Sequence, residues 1–264
     1  TNTYLVGSGR RRILLDPGQG EAGYLPLLEQ AMARVGCEAI QEIVLTHGHP
    51  DHMGGVASVL RRFGPLRVSK CPWPEQDPRF ELPALEPLAE GDLLRTEGAT
   101  LRALHTPGHA PDHLCFVLEQ EGALFSGDNV LGVGTTLIPE QSGDLSAYMR
   151  SLARLLETRP GRIYPAHGPQ IADGVAKLRE YIAHRHTRED QILALLDEGP
   201  QEVMGLVRRI YAAYPRSLHA AAAQSVTQHL RKLEHEGRAV CEDAPEVTAT
   251  PPGDSRRARV WRRP

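Results

Sequence analysis

One stretch, EIVLTHGHPDHMGG at residues 42–55, constrains the fold more than any other part of the sequence. It opens with an apolar run at residues 43–45, whose length and β-branching are typical of a buried strand. Gly48 and Pro50 permit a turn after this run, and a helical pattern begins beyond the two glycines. The turn carries four side chains of ligand type: His47, His49, Asp51 and His52. Because borderline metals such as zinc prefer imidazole and carboxylate ligands, the stretch predicts a metal site.

The composition limits what else the chain can be. With 264 residues, of which 41% are hydrophobic and 24% charged, it can bury a sizeable core and hold a second small domain. A net charge of −3 gives no overall attraction to nucleic acid or to membranes, so such binding would need a local patch. No apolar run in the sequence has the length of a membrane span, and we expect no membrane partner.

The cysteines and the first residues bear on location. The four cysteines are scattered without CxxC spacing, which is typical of reduced structural residues in an intracellular protein. We therefore expect the protein to be located in the cytoplasm or the mitochondrial matrix.

The chain starts inside an apparent strand at residues 2–6 and lacks an initiating Met, so we expect residues to be missing upstream.

Further candidate ligands follow other predicted strands. His109, Asp128 and His167 each come shortly after an apolar run, and Asp16 ends an early strand before a Pro-Gly turn. Ligands at strand ends are usual in layered α/β folds, and strands alternate with helical patterns in the first third of this chain. We therefore expect an α/β fold whose metal site draws on several strand ends.

These separated blocks, in this order, resemble the metallo-β-lactamase superfamily over roughly the first 170 residues. The resemblance implies a four-layer αβ/βα sandwich with two facing mixed sheets. It also implies a set of roles at two metals. In that set, His47, His49 and His109 hold one metal, Asp51, His52 and His167 hold the other, Asp128 bridges them, and Asp16 orients a ligand.

Two metals about 3.5–4 Å apart activate a bridging water as the nucleophile, so no nucleophilic Ser or Cys is needed. We expect two Zn²⁺, with Mn²⁺ as a possible substitute, and we assign Asp51 and Asp128 to catalysis. His105 and His113 flank His109 at a spacing of four, and neither is expected to be a ligand. Cys115 is not expected to be one either, because Asp128 supplies the position that it would take.

The remainder of the chain predicts a helical, winged-helix-like domain. A long helix is expected at about residues 172–196, followed by two shorter helices and two strands near the end of the chain. We place the domains at 1–185 and 186–264. Nearly end to end, the chain resembles the metallo-β-lactamase-like endoribonucleases of the mitochondrial type. Three features carry this closer match: the GVGTT segment at 132–136, the HRxxRE run at 184–189 and the helical tail.

The resemblance implies an endoribonuclease that cleaves single-stranded RNA. His184, Arg185 and Arg188 are then the predicted substrate contacts, although an ordinary amphipathic helix face explains them equally well. A basic cluster that could contact phosphates, or simply face solvent, comprises Arg231, Lys232, Arg256, Arg257, Arg259, Arg262 and Arg263.

Two alternatives remain open, because the ligand set does not choose between phosphoryl and acyl substrates. One is an acyl hydrolase with the same metal centre, acting as a glyoxalase II-like thioesterase, a lactonase or a β-lactamase. The other is a nucleic-acid-binding module with a merely structural metal. A complete pair of ligand sets argues against the module, since structural zinc sites are closed and mostly mononuclear.

Overall fold

Two mixed five-stranded sheets carry the first two thirds of the chain. The structure, a computed structural model, describes residues 1–80, 82, 84–243 and 259–264. The strands of the first sheet lie side by side as β1 (Tyr4–Val6), β2 (Arg11–Leu15), β3 (Ala39–Val44), β4 (Val68–Lys70) and β5 (Glu86–Pro87). Those of the second are β6 (Leu93–Thr96), β7 (Ala99–His105), β8 (Leu114–Leu118), β9 (Ala123–Gly127) and β10 (Ile163–Pro165).

The two sheets face each other and are covered by helices on their outer sides. Ile13 and Val44 of the first sheet share one core with Leu101 and Phe116 of the second. Two further cores lie between the sheets and the helices. The first sheet is covered by α1 (Tyr24–Arg34) and α3 (Val56–Phe63), with the short α2 (Pro50–Met53) before α3, and the second by α4 (Leu145–Glu157) and the start of α5 (Gly174–Asp197). The predicted four-layer αβ/βα sandwich is therefore confirmed.

The burial of the strands explains their sequences. Every residue of β8 and β9 is buried, because one face meets the other sheet and the opposite face meets a helix. β8 and the first three residues of β9 are accordingly continuous apolar runs rather than alternating ones. The strand ends, in contrast, carry the polar residues, and they meet at one edge of the sandwich.

The C-terminal domain is a small helical unit with a two-stranded wing. It comprises the end of α5, α6 (Val203–Ile210), α7 (His219–His235), β11 (Val240–Asp243) and β12 (Arg259–Arg262). Trp261 of the wing packs into the helical core and exchanges two backbone hydrogen bonds of 2.8 Å with Gln201. The predicted winged-helix arrangement is confirmed. Among the described residues, none of the helices combines the length and the hydropathy of a membrane span.

Helix α5 joins the two parts of the chain. Its first half packs on the second sheet through Leu178 and Tyr181, and its second half enters the C-terminal core through Ile192 and Leu196. The predicted boundary between residues 185 and 186 thus falls inside a continuous helix, and it remains a prediction.

A buried polar cluster lies where α5 packs on α7. The Glu189 carboxylate forms an ion pair of 2.8 Å with Nζ of Lys232, and it lies 3.7 Å from Nδ1 of His229. Burial lowers the pKa of His229 to about 4, although Glu189 opposes that effect, and the nearby Arg185 and Arg188 add to it. His229 is therefore neutral in the folded protein at neutral pH.

Acidification should destabilise the packing of α5 on α7, because it protonates the buried ring of His229. Its folded pKa lies below the ordinary value of 6.5, so the stabilising effect of the neutral ring is complete above pH 6.5 and is lost as the pH falls toward 4. In metal-free protein, the thermal unfolding midpoint of the wild type should fall more steeply across this window than that of His229→Gln. His235→Gln, an exposed change on the same helix, should keep the wild-type slope. Parallel curves for wild type and His229→Gln would contradict the assignment.

Candidate metal centre

The turn after β3 is held by a close approach of two backbone segments. Pro50 occupies the first position of α2, where its fixed backbone angle favours a helix start. A Cβ at Gly55 would lie 2.2 Å from the carbonyl oxygen of Pro17, so only glycine fits there. The loop that follows β2 therefore packs directly against the turn of the HGHPDH motif.

Asp16 fixes one face of this turn. It has a left-handed backbone, with φ of 51°, which is uncommon for a residue with a side chain. Its carboxylate accepts hydrogen bonds of 2.8 Å from the backbone N and the Oγ1 of Thr46, and it lies 2.9 Å from Nδ1 of His52. These contacts leave Nε2 of His52 directed at the cluster, which is the orienting role implied for Asp16.

Seven side chains converge beyond this turn, and all seven were predicted ligands. Their donor atoms form three overlapping groups within which the atoms lie no more than 4.8 Å apart. The groups are His47, His49 and His109; His47, His52 and Asp128; and Asp51, His52 and His167. In the first group, Nδ1 of His49 lies 2.9 Å from Nε2 of both His47 and His109. The structure therefore brings the predicted ligands together, while their roles as ligands remain predictions.

Asp128 lies between two sets of histidines. Its Oδ2 is 3.5 Å from Nε2 of His109, whereas its Oδ1 is 3.4 Å from Nε2 of His52 and 3.2 Å from Nε2 of His167. Asp51 closes the second set through Oδ2, which lies 3.2 Å from Nε2 of His167. Each oxygen of Asp128 thus faces a different set, an arrangement that is compatible with the predicted bridging role.

Five of the seven predicted ligands are held in the protonation state that binds a divalent cation, whereas neighbouring carboxylates raise the pKa values of His52 and His167. Burial holds the pKa of His47 well below its ordinary range, lowers that of His49 to about 4 and also lowers that of His109. Burial opposes the ionisation of Asp51 and Asp128, but the adjacent rings of His167 and His52 outweigh it and hold both pKa values far below the ordinary range. Neutral imidazoles and ionised carboxylates are the forms that bind metals.

Two buried atoms at the centre of the cluster make no hydrogen bond of acceptable geometry within the described residues, although atoms of other predicted ligands lie 3.2–3.4 Å away. They are Nε2 of His52 and Oδ1 of Asp128. Buried polar atoms of this kind require an explanation, and a site for an ion is a common one. The donor set, its charges and these two atoms together fit a site for divalent metal.

His109 reaches the cluster from the loop between β7 and β8. Its Nδ1 donates a hydrogen bond of 2.8 Å to the carbonyl oxygen of Leu137, which directs Nε2 at the other ligands. A Cβ at Gly108 would lie 2.3 Å from Cα of Tyr148, so glycine lets this loop approach α4. The His109 position thus depends on the segment that follows Asp128.

His105, His113 and Cys115 lie outside the three groups of donor atoms. His113 is buried, and its Nε2 accepts a hydrogen bond of 3.0 Å from the backbone N of Asp128. It therefore positions Asp128, a contact that the spacing of the sequence does not reveal. His105 donates through Nε2 to the carbonyl of Pro111, and burial raises the pKa of the Cys115 thiol to about 12.

The predicted substrate contacts on α5 require a correction. Arg185 is buried, donates to the carbonyl oxygen of Thr136 and lies over the ring of Tyr148. Arg188 is also buried, and it lies over the ring of Tyr211. Both guanidinium groups are enclosed by their own fold, so they do not form a clamp for a scissile phosphate, while His184 is exposed on the same helix.

The sandwich and its His/Asp cluster define a metal-binding hydrolase fold, and comparisons with known proteins name the family. Residues 1–167 match the family model of the metallo-beta-lactamase superfamily, and residues 203–246 match that of the beta-lactamase associated winged helix domain. The chain belongs to the metallo-β-lactamase superfamily.

Similar proteins extend the match over most of the chain. A beta-lactamase-like protein 2 homolog from Drosophila melanogaster is 40% identical, over 90% of this chain and 83% of its own length. An atrochrysone carboxyl ACP thioesterase from Aspergillus chevalieri is also 40% identical, over 86% of this chain and 70% of its own length. The crystal structure of a metallo-beta-lactamase family protein from Thermus thermophilus has a TM-score of 0.76 at 27% identity, covering 100% of this chain and 93% of that one.

Removing the charge of Asp16 should weaken metal binding without unfolding the chain. In Asp16→Asn, the side chain keeps its shape but no longer attracts the His52 ring as an anion, so metal affinity should fall roughly 10–100-fold. Competition with a chromogenic chelator measures this directly. Asp92→Asn, which alters a carboxylate that accepts from Ala89 N in an exposed turn, is the matched control. An Asp16→Asn affinity equal to that of the control would reduce Asp16 to a turn residue.

Proposed function

We propose that this protein is an acyl hydrolase that cleaves thioesters with two divalent metal ions, Zn²⁺ by default. The observation that carries the proposal is the likeness over most of the chain to a protein named as a carboxyl ACP thioesterase. The complete set of seven converging ligand-type side chains supports a hydrolytic centre. Thioester hydrolysis was one of the alternatives that the sequence left open.

The residues divide into two holding sets. His47, His49 and His109 would hold one ion, Asp51, His52 and His167 the other, and Asp128 would lie between them. When bound, such a metal pair supplies an activated water and polarises the carbonyl of the substrate. Mn²⁺ is compatible with the same nitrogen and oxygen donors.

The exposure of these side chains defines the side from which a substrate arrives. The side chain of His52 is fully buried, whereas those of Asp51 and His167 are 36% and 37% exposed. Asp51 and His167 therefore form the open side, where an ester can approach. The buried rings on the opposite side keep water away from the rear of the cluster and fix its geometry.

Residues that border the cluster carry apolar side chains. The ring of Trp73 lies 6.1 Å from that of His49, and Leu137, whose carbonyl binds His109, is 43% exposed. Val133 is exposed in the same segment, next to Gly132, whose backbone N donates to the carbonyl of His167. Exposed apolar side chains around a polar centre suit an acyl chain better than a phosphate backbone.

The basic cluster does not strengthen the interpretation of the protein as an endoribonuclease. Several of its described members have acidic partners: Arg262 pairs with Glu242, Arg263 with Asp197, Arg231 with Glu140, and Lys232 with Glu189. Arg256 and Arg257 lie outside the described residues. Binding to a phosphate backbone rests on uncompensated positive charge, and these pairs compensate much of it. The paired charges therefore favour the acyl substrate over single-stranded RNA.

A substrate panel tests the proposal. The metal-loaded protein is assayed with acyl-coenzyme A and glutathione thioesters, a labelled single-stranded RNA and a chromogenic β-lactam. We expect the wild type to hydrolyse thioesters and Asp128→Ala to lose this activity. The variant serves as a control for contaminating hydrolases. Cleavage of RNA with intact thioesters, again lost in Asp128→Ala, would overturn the proposal in favour of the endoribonuclease.

Leu137 should discriminate between acyl chains of different length. Replacing it by Ser removes apolar surface worth about 1.5 kcal/mol, so KM for an eight-carbon thioester should rise roughly tenfold while that for an acetyl thioester stays nearly unchanged. Leu27→Ser is the matched control, because Leu27 is also exposed but lies on α1. An equal rise in KM for both substrates would show that Leu137 does not contact the acyl chain.

A further inference from the structure

The segment from residue 129 to residue 144, here called the linking segment, touches the metal centre from one side. The Oγ1 of Thr136 donates a hydrogen bond of 2.7 Å to the carbonyl oxygen of Asp128. One residue further, the carbonyl of Leu137 accepts the Nδ1–H of His109 at 2.8 Å. The positions of a bridging carboxylate and of one histidine ligand therefore both depend on this segment.

The linking segment, all of whose residues the structure describes, contains no helix or strand, so its backbone needs partners from elsewhere. The C-terminal domain provides several. The amide nitrogen Nε2 of Gln228 on α7 donates to the carbonyl oxygens of Pro139 at 2.8 Å and Gly143 at 3.1 Å. Arg231, also on α7, donates to the backbone oxygen of Glu140 at 3.0 Å. The segment is thus held between the metal centre and α7.

Gln228 has the most constrained of these contacts. It is 4% exposed, and a single NH₂ group serves two carbonyl oxygens four residues apart. Arg231 is largely exposed, which weakens its contribution. The Arg185 guanidinium donates to Thr136 but also packs on Tyr148, so its removal would alter the core as well.

We propose that Gln228 is a positioning residue for the metal centre, through which the C-terminal domain sets metal affinity. Loss of its two hydrogen bonds leaves the carbonyl oxygen of Gly143 without a donor among the described residues, while that of Pro139 keeps only the backbone N of Gly143 at 2.9 Å, and the turn between Pro139 and Gly143 relaxes. Leu137 and Thr136 lie immediately before that turn, so the acceptor for His109 and the support for Asp128 shift with it. The winged domain is then a structural part of the catalytic site.

The test replaces Gln228 by Glu in the full chain. The variant keeps the size of the side chain but places a carboxylate, which cannot donate, against the two carbonyls. Gln224→Glu is the matched control, one turn earlier on α7, where the described residues show no hydrogen bond for Gln224. Zinc affinity is measured by chelator competition, and the visible absorption of the cobalt-loaded protein reports the geometry at the ligands.

We expect Gln228→Glu to lower zinc affinity about tenfold and to change the cobalt spectrum, because supporting groups beyond the ligands usually contribute 10–100-fold. Gln224→Glu should stay within about twofold of wild type. Equal affinity and an unchanged spectrum in Gln228→Glu would overturn the proposal.

If Gln228→Glu does not fold, Gln228→Leu removes the same two hydrogen bonds without adding a charge. We expect a loss of about tenfold in zinc affinity there as well, and an unchanged affinity would overturn the proposal. Both readouts concern the metal alone, so they are independent of whether the centre hydrolyses thioesters or RNA.

Discussion

A hydrogen bond of 2.7 Å from the backbone N of Leu114 to the carbonyl of Thr46 joins the two sheets at the edge where the metal centre lies. Thr46 ends the strand region that leads into the HGHPDH turn, and Leu114 begins β8. The shared apolar core behind this bond fixes the two sheets face to face. Ligand-type residues from both sheets can meet only because this edge is closed in that way.

Electrostatics then decides which chemistry the edge supports. Two carboxylates, Asp128 and Asp51, raise the pKa of the half-exposed His167 to about 9. Together with Asp16, they also hold the pKa of His52 above its ordinary value, despite the burial of that ring. The carboxylates thus supply negative charge at the position where a cation would lie, and His52 and His167 would release protons when a metal binds.

The same cluster would serve an acyl or a phosphoryl substrate, so the selection depends on its surroundings. Those surroundings are apolar at Leu137 and Val133, whereas Arg262 and Arg263 of the basic cluster are paired with acids.

Much of the fold and of the metal centre was predictable from the sequence, because the predicted ligands follow strand ends, and strands and helices leave periodic patterns in the chain. The fold agrees with expectation, and the structure brings the seven predicted ligands together with Asp16 beside them, while their roles remain predictions. The contacts of His113 and Gln228 were not predictable, since each spans a fold-dependent distance that no local spacing encodes. The arginines of α5 were misjudged for the same reason: a basic residue looks exposed in the sequence, and only the structure reveals the tyrosine rings that enclose these side chains.

The bridged metal centre depends most on Asp128 lying between two metals. Elemental analysis of fully loaded protein, together with circular dichroism of the metal-free form, tests this most directly. We predict two equivalents of metal per chain in the wild type, and one or fewer in Asp128→Ala with an unchanged dichroism spectrum. A wild-type chain that binds at most one equivalent, or an Asp128→Ala variant that retains two, would contradict the bridged centre.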